Sequence, residues 1–207
     1  MEQFISGTPV ASIIFLFTIV TSIYAFSNSS VFGKFMLHPY SVSRGQRVYS
    51  VITSGLIHKD WGHLFVNMLS FFFFAFPLER VFAQSSSWGH LQFAILYLVS
   101  LVLSDLSSIV KHKDHFWYNS LGASGAVSGV VFSWILFDPL GMIYVYFIPM
   151  PAVLFGVLYL VYSAYESKRS SSINHDAHFY GALTGILITL IFYPEIVPHF
   201  INSLTGR

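Results

Sequence analysis

Six apolar runs alternate with polar segments along the chain, at 9–26, 62–78, 88–110, 124–137, 146–165 and 177–193. Most are long enough to cross a bilayer as a helix, which needs about 20 apolar residues. They predict an all-α, polytopic membrane protein, a bundle of six transmembrane helices in one domain over 1–207. Pro9 suits a first helical turn, where its missing N–H costs nothing. Pro149 and Pro151 are read the same way, in the first turns of the fifth run. The fourth run is short, about 21 Å at a rise of about 1.5 Å per residue. A hydrocarbon core is about 30 Å thick, so its serine end is expected below the membrane surface. The connection 28–60 is long and polar with apolar islands. Such a connection between membrane helices is unusual and often functional.

Parity then places chemistry. The second, fourth and sixth runs point the same way. Their N-terminal ends carry His63 and Asn67, Ser124, and His178. Four polar residues from three helices thus reach one face, as a site assembled between helices requires. Polar groups at membrane depth are expensive and usually face the bundle interior. Gly125 and Gly129 on the fourth run, and Gly181 and Gly185 on the sixth, form two small-residue stripes that allow close helix approach. Singly, each stripe reads as generic packing. If they meet, Ser124 reaches His178.

Composition narrows the function. Of 207 residues, 55% are hydrophobic and 9% charged, against about 25% charged in soluble domains. Net charge is +1, with no basic stretch suited to nucleic acid. There are no cysteines, which removes disulfide and thiolate chemistry. The start Met1-Glu2-Gln3 lacks the positive region of a signal peptide, so the first run is read as a retained helix. The pairs His112/His115 and His175/His178 come without a cysteine, an HExxH or inward carboxylates, so neither metal nor cofactor is expected. Asp176 reads as a first-turn acid or N-cap, and Asp105 as an interfacial residue or cap.

A serine and a histidine suffice for acyl transfer. The histidine takes the hydroxyl proton and later returns it to the leaving amine. Candidate donors to the oxyanion are His63, Asn67 and the backbone N–H of Ser124.

These residues carry a family resemblance. The run from His58 through His63 to Asn67 resembles the HxxxxHxxxN signature of rhomboid intramembrane serine proteases. Gly122-Ala123-Ser124-Gly125 resembles their GxSG motif, and Ala177-His178 with Gly181 and Gly185 their AHxxGxxxG motif. The resemblance implies a Ser124–His178 dyad without an acidic third member, with His63 and Asn67 stabilising the oxyanion. It implies a structural role for His58 in anchoring the first loop. It implies an embedded first loop at 28–60 and a mobile cap at 166–176. Its implied partners are transmembrane protein substrates and the lipid bilayer. The site would open to the non-cytoplasmic side, and the compact form points to a prokaryotic plasma membrane. Leu78-Glu79 resembles the pair that ends the family's second helix.

Three features depart from the pattern. Tyr49-Ser50 stands where the family often has Trp-Arg, with the loop arginines at Arg44 and Arg47. Ser128 stands where an aromatic often stacks on the histidine, which leaves Phe179 or Tyr180 to substitute. Eight of ten Lys and Arg lie on the face of the site, against the positive-inside rule. The alternative function is a catalytically inactive rhomboid-like protein that binds membrane partners. A transporter with a histidine relay lacks the internal symmetry that many transporters show.

Overall fold

A computed structural model describes residues 7–145, 147–167 and 174–206. Helix α1, Pro9–Ser27, starts at Pro9. Its next two donors, the N–H groups of Val10 and Ala11, donate to the Glu79 carboxylate at 3.1 and 2.7 Å. Glu79 is fully buried and also lies 2.7 Å from His90 Nδ1. The positive end of a helix dipole stabilises such a carboxylate. Helix α5, Trp61–Ser85, therefore runs through Pro77 and Glu79 rather than ending at residue 78.

Between α1 and α5 the chain makes α2, Ser29–Phe35, α3, Pro39–Val42, α4, Ser50–Thr53, and a 3₁₀ turn, Ser54–Leu56. Arg47, at the positive φ of 52°, donates from its guanidinium to the carbonyls of Gly33, Lys34 and Met36. Carbonyls at a helix end lack intrahelical donors, and Arg47 satisfies those of α2. Thr53 Oγ1 donates to the Phe35 carbonyl at 3.1 Å. The loop thus folds on itself without the Trp-Arg pair.

Helix α6, Gly89–His112, leads to α7, Ser124–Phe137, at the expected boundaries of the fourth run. The fifth run differs. A hairpin of β1, Met142–Val145, and β2, Ile148–Pro151, precedes α8, Ala152–Glu166. Pro149 and Pro151 lie in β2 and not in helical turns. Proline lacks a ladder donor and is confined to edge strands, and both strands of a two-stranded hairpin are edges. Tyr146, the expected start, lies outside the described residues. Helix α9, His175–Phe192, is followed after Pro194 by α10, Ile196–Thr205, which periodicity did not predict. Pro198 falls in its first turn, where proline is tolerated.

Three helices, α1, α5 and α6, are long and apolar enough to cross a membrane. Helix α9 passes the same test together with α10, across a bend of 111°. Helices α7 and α8 are shorter, at 14 and 15 residues. The fold is a mostly helical membrane bundle.

Helix α7 is its centre, with every residue from Gly125 to Ser133 buried. A Cβ on Gly181 would fall on the Gly125 carbonyl, and one on Gly185 on the Gly129 carbonyl. On the other side, Gly125 and Gly129 meet Ser104 and Ser100 of α6. Here glycine is required by close backbone approach. The pairing of 125 with 181 and of 129 with 185 makes α7 and α9 parallel. The hydroxyls of Ser133 and Thr189, 2.6 Å apart, continue the seam.

Gly185→Ala, about two turns from His178, forces the two helices apart. The expected cost is about 1–3 kcal/mol, read as a lower thermal midpoint in detergent. An unchanged midpoint contradicts this backbone contact.

Candidate active site

The site begins with the turn before α7. Gly122 has φ of 118°, a conformation that favours glycine. A Cβ there would lie 2.7 Å from Cε1 of His63. The first glycine of the GxSG stretch is thus set by backbone conformation and by the imidazole lying over it. Gly122 N–H donates to the Ser54 carbonyl at 2.9 Å, and Leu37 and Ser120 exchange backbone bonds at 2.9 and 3.1 Å. The first loop straps the turn that carries Ser124.

His58 completes the strap. It is fully buried. Ala123 N–H donates to its Nε2 at 3.4 Å, which puts the ring proton on Nδ1, 3.0 Å from Ser22 Oγ in α1. Ser22 Oγ then donates to the Leu56 carbonyl. One neutral imidazole therefore ties α1 and the first loop to the residue before Ser124. Burial pushes its pKa down to about 3, with positive charge on His63 adding to the effect.

Asp105 is not a cap, since it lies within α6 seven residues before its end. It is buried in α6 and accepts from Ser54 Oγ at 3.1 Å. It pins the same 3₁₀ turn whose carbonyl holds Gly122. Asp176 lies in the first turn of α9, 2.6 Å from Lys111 Nζ, while Asn174 is the N-cap. Lys111 Nζ also donates to the Ser167 carbonyl at 2.9 Å. Most of the expected cap at 166–176 falls on 168–173, outside the described residues.

Ser124 is the first residue of α7, directly after Ala123 at the N-cap. Its backbone N–H is one of the first-turn donors that have no intrahelical acceptor. On α9, the Ala177 carbonyl lies 3.4 Å from a Cβ built on Gly125. The turn bearing Ser124 thus abuts the turn bearing His178. No hydrogen bond joins Ser124 to His178 among the described residues. Lys59 N–H donates to His63 Nδ1 at 3.4 Å, which leaves Nε2–H free toward Gly122. Asn67 Nδ2 spends one proton on the His63 carbonyl at 2.9 Å and keeps the second.

His178 is flanked by two rings. The Tyr159 ring of α8 lies at 6.1 Å and 25°, and His175 meets it edge-on at 5.9 Å. Tyr159 Oη is 2.6 Å from Ser128 Oγ. The aromatic partner thus comes from α8, and Ser128 holds its hydroxyl. Neither Phe179 nor Tyr180 takes that place; they pack against each other at 5.6 Å. The sequence held one clue. A serine in the middle of a buried apolar helix needs a polar partner.

The Rhomboid domain model matches residues 45–195. The chain belongs to the rhomboid family. Its rhomboid relatives include "RHOMBOID-like protein 12, mitochondrial" of Arabidopsis thaliana, 28% identical over 171 residues, which covers 72% of this chain and 49% of the relative. A Bacillus subtilis protein, YdcA, named as a rhomboid protease candidate, is 27% identical over 69% of this chain and 66% of its own length. "Rhomboid protein 1, mitochondrial" of Saccharomyces cerevisiae is 28% identical over 67% of this chain and 40% of its own. The chain therefore spans about half the length of the first of these rhomboids. They come from a bacterium and from mitochondria, so the kinship does not single out a prokaryotic plasma membrane.

Two outcomes check this geometry. In a double-mutant cycle of Ser128→Ala and Tyr159→Phe, the hydroxyl pair should show a coupling of about 1 kcal/mol. Additive effects contradict the bond. His58 stays neutral in the fold, while an unfolded histidine titrates near 6.5. The unfolded chain binds the extra proton between about pH 3 and 6.5, so stability falls as pH drops through that window. His58→Gln should flatten that slope in a thermal-melt series against pH, and an unchanged slope contradicts it.

Proposed function

We propose that this rhomboid is an intramembrane serine endopeptidase with six membrane crossings, in which Ser124 is the nucleophile and His178 the base. The reading is carried by one observation, the glycine contact that sets the first turns of α7 and α9 against each other. His178 accepts the Ser124 proton as Oγ attacks a peptide carbonyl. It then protonates the leaving amine as the C–N bond breaks. Water hydrolyses the acyl-enzyme by the same exchange in reverse. His63 Nε2–H, the second Nδ2–H of Asn67 and the Ser124 N–H are the donors to the oxyanion. A hydrogen bond between nucleophile and base is often long in an unliganded site and tightens on substrate.

The substrate is a transmembrane or membrane-proximal segment of another protein. A helix hides its carbonyls in i to i−4 bonds, so the scissile stretch must unwind. Segments with Gly, Pro or polar residues near the helix end are favoured. The site opens to the non-cytoplasmic side. The charges that oppose this orientation are partly engaged within the fold: Arg47 binds three carbonyls, Arg44 binds those of Tyr40 and Lys113, and Lys111 binds Ser167 and Asp176.

A second reading, a catalytically inactive binder of membrane partners, draws on the lack of a Ser124–His178 hydrogen bond. A fluorophosphonate probe separates the two. The proposal expects labelling of the purified protein that Ser124→Ala abolishes and His178→Ala cuts by at least about 100-fold, within the range of general-base effects. A folded protein that takes no label favours the binder.

A further inference from the structure

Helix α10 follows α9 at a bend of 111°. If α9 crosses the bilayer, α10 lies near the membrane plane. At about 100° per residue, its side chains divide into three sectors. Ile196 is buried and Phe200 packs on the core, so one sector faces the bundle. Val197, Ile201 and Leu204 share a second sector and are 44%, 52% and 43% exposed. Asn202 and Thr205 occupy a third. Ser203 joins the first sector and Pro198 the third, so the second alone is wholly apolar and the third is the most polar, with the second about 100° from each of the others. A helix lying in an interface beside a bundle needs this division, with one side each for protein, acyl chains and water.

The end of α9 that leads into α10 is also apolar and open, with Leu187 and Ile191 59% and 69% exposed. The hairpin supplies a second, independent observation. Helices α7 and α9 are parallel, so the hairpin after α7 and α10 after α9 emerge on the same face, opposite Ser124. The hairpin presents Tyr144 and Phe147, 68% and 95% exposed. Aromatic residues are enriched at the bilayer boundary. An open hairpin cannot sit deeper, because its edge groups need water.

One bond ties α10 to the centre of the bundle. His199 Nε2 donates to the Phe137 carbonyl, the last of α7, at 2.9 Å. We propose that α10 lies lengthwise in the headgroup–acyl boundary of the leaflet opposite Ser124, and through this bond sets the depth of α7. With α7 about 21 Å long and the core about 30 Å thick, Ser124 then sits about 9 Å below the far boundary. The proposal rests on the membrane-spanning bundle and not on catalysis, so a failure to cleave or to label leaves it standing.

The chain has no cysteine, so single introduced cysteines carry a nitroxide without a background. In liposomes of phosphatidylcholine and phosphatidylglycerol, labels at 197, 201 and 204 should collide with oxygen and be shielded from a water-soluble nickel complex. Their depth should be about 5–10 Å. Labels at 202 and 205 should show the reverse. Nickel access at all five overturns the proposal in favour of a helix in water. Shielding from both reagents at 197, 201 and 204 overturns it in favour of a covering protein copy. For depth control, a label at Leu140, beside the end of α7, should gain nickel access severalfold in Ile201→Lys/Leu204→Lys. No change at Leu140, in a variant that keeps its helix content, overturns that half of the proposal.

Discussion

Backbone-to-backbone contact between α7 and α9 is the constraint on which the rest of the structure depends. In lipid, apolar surface gives no drive for helices to associate, so close packing and polar contacts must supply it. Gly125, Gly129, Gly181 and Gly185 remove the side chains that would hold the helices apart, and Ser100 and Ser104 of α6 close the other side. A 14-residue helix buried on all sides is the result. Its N-terminal serine and the histidine of the neighbouring helix begin adjacent turns. Both are half-buried among the surrounding helices.

The first loop is the second support, and it acts on the same turn. Ser54 is held by buried Asp105 and holds Gly122. His58 holds Ala123, and His63 lies over Gly122. Every residue from Ser120 to Ala123 except Leu121 is thus touched by a group from the first loop or from the start of α5. This restraint orients Ser124 without using its hydroxyl. Tyr159, held by Ser128, gives His178 a comparable restraint from α8. His178 is therefore positioned through a helix with only Ala152, Gly156 and Ser163 buried along it.

Much of the frame was legible as hydrophobic runs, because membrane helices must satisfy their backbone internally and so announce themselves by length and apolarity. The boundaries of α7 followed from its apolar run, and spacing offered the two glycine stripes, whose meeting only the fold shows. What escaped were features decided by tertiary partners. Glu79 looked like a helix end because a lone charge is costly, yet two N–H groups of α1 and His90 offset that cost. The hairpin at 142–151 overlaps the start of an apolar run whose prolines also suit a helix start. Helix α10 sits behind Pro194 and is too short to register as a span. Tyr159 is 35 residues from Ser124 in sequence, and only the fold brings its ring to His178. Asp105 resembled a cap from its place near a helix end, and its partner, Ser54, lies in a loop that gave no pattern.

The central claim is that Ser124 and His178, brought together by the glycine seam, cut a peptide bond within the membrane. The most direct measurement reconstitutes the chain in liposomes with a single transmembrane segment broken by Gly-Pro near its non-cytoplasmic end, and identifies product termini by mass spectrometry. The account predicts one cut, within the membrane and close to that break, absent with Ser124→Ala. A cut that survives Ser124→Ala, or an intact segment across a panel of such substrates, contradicts it.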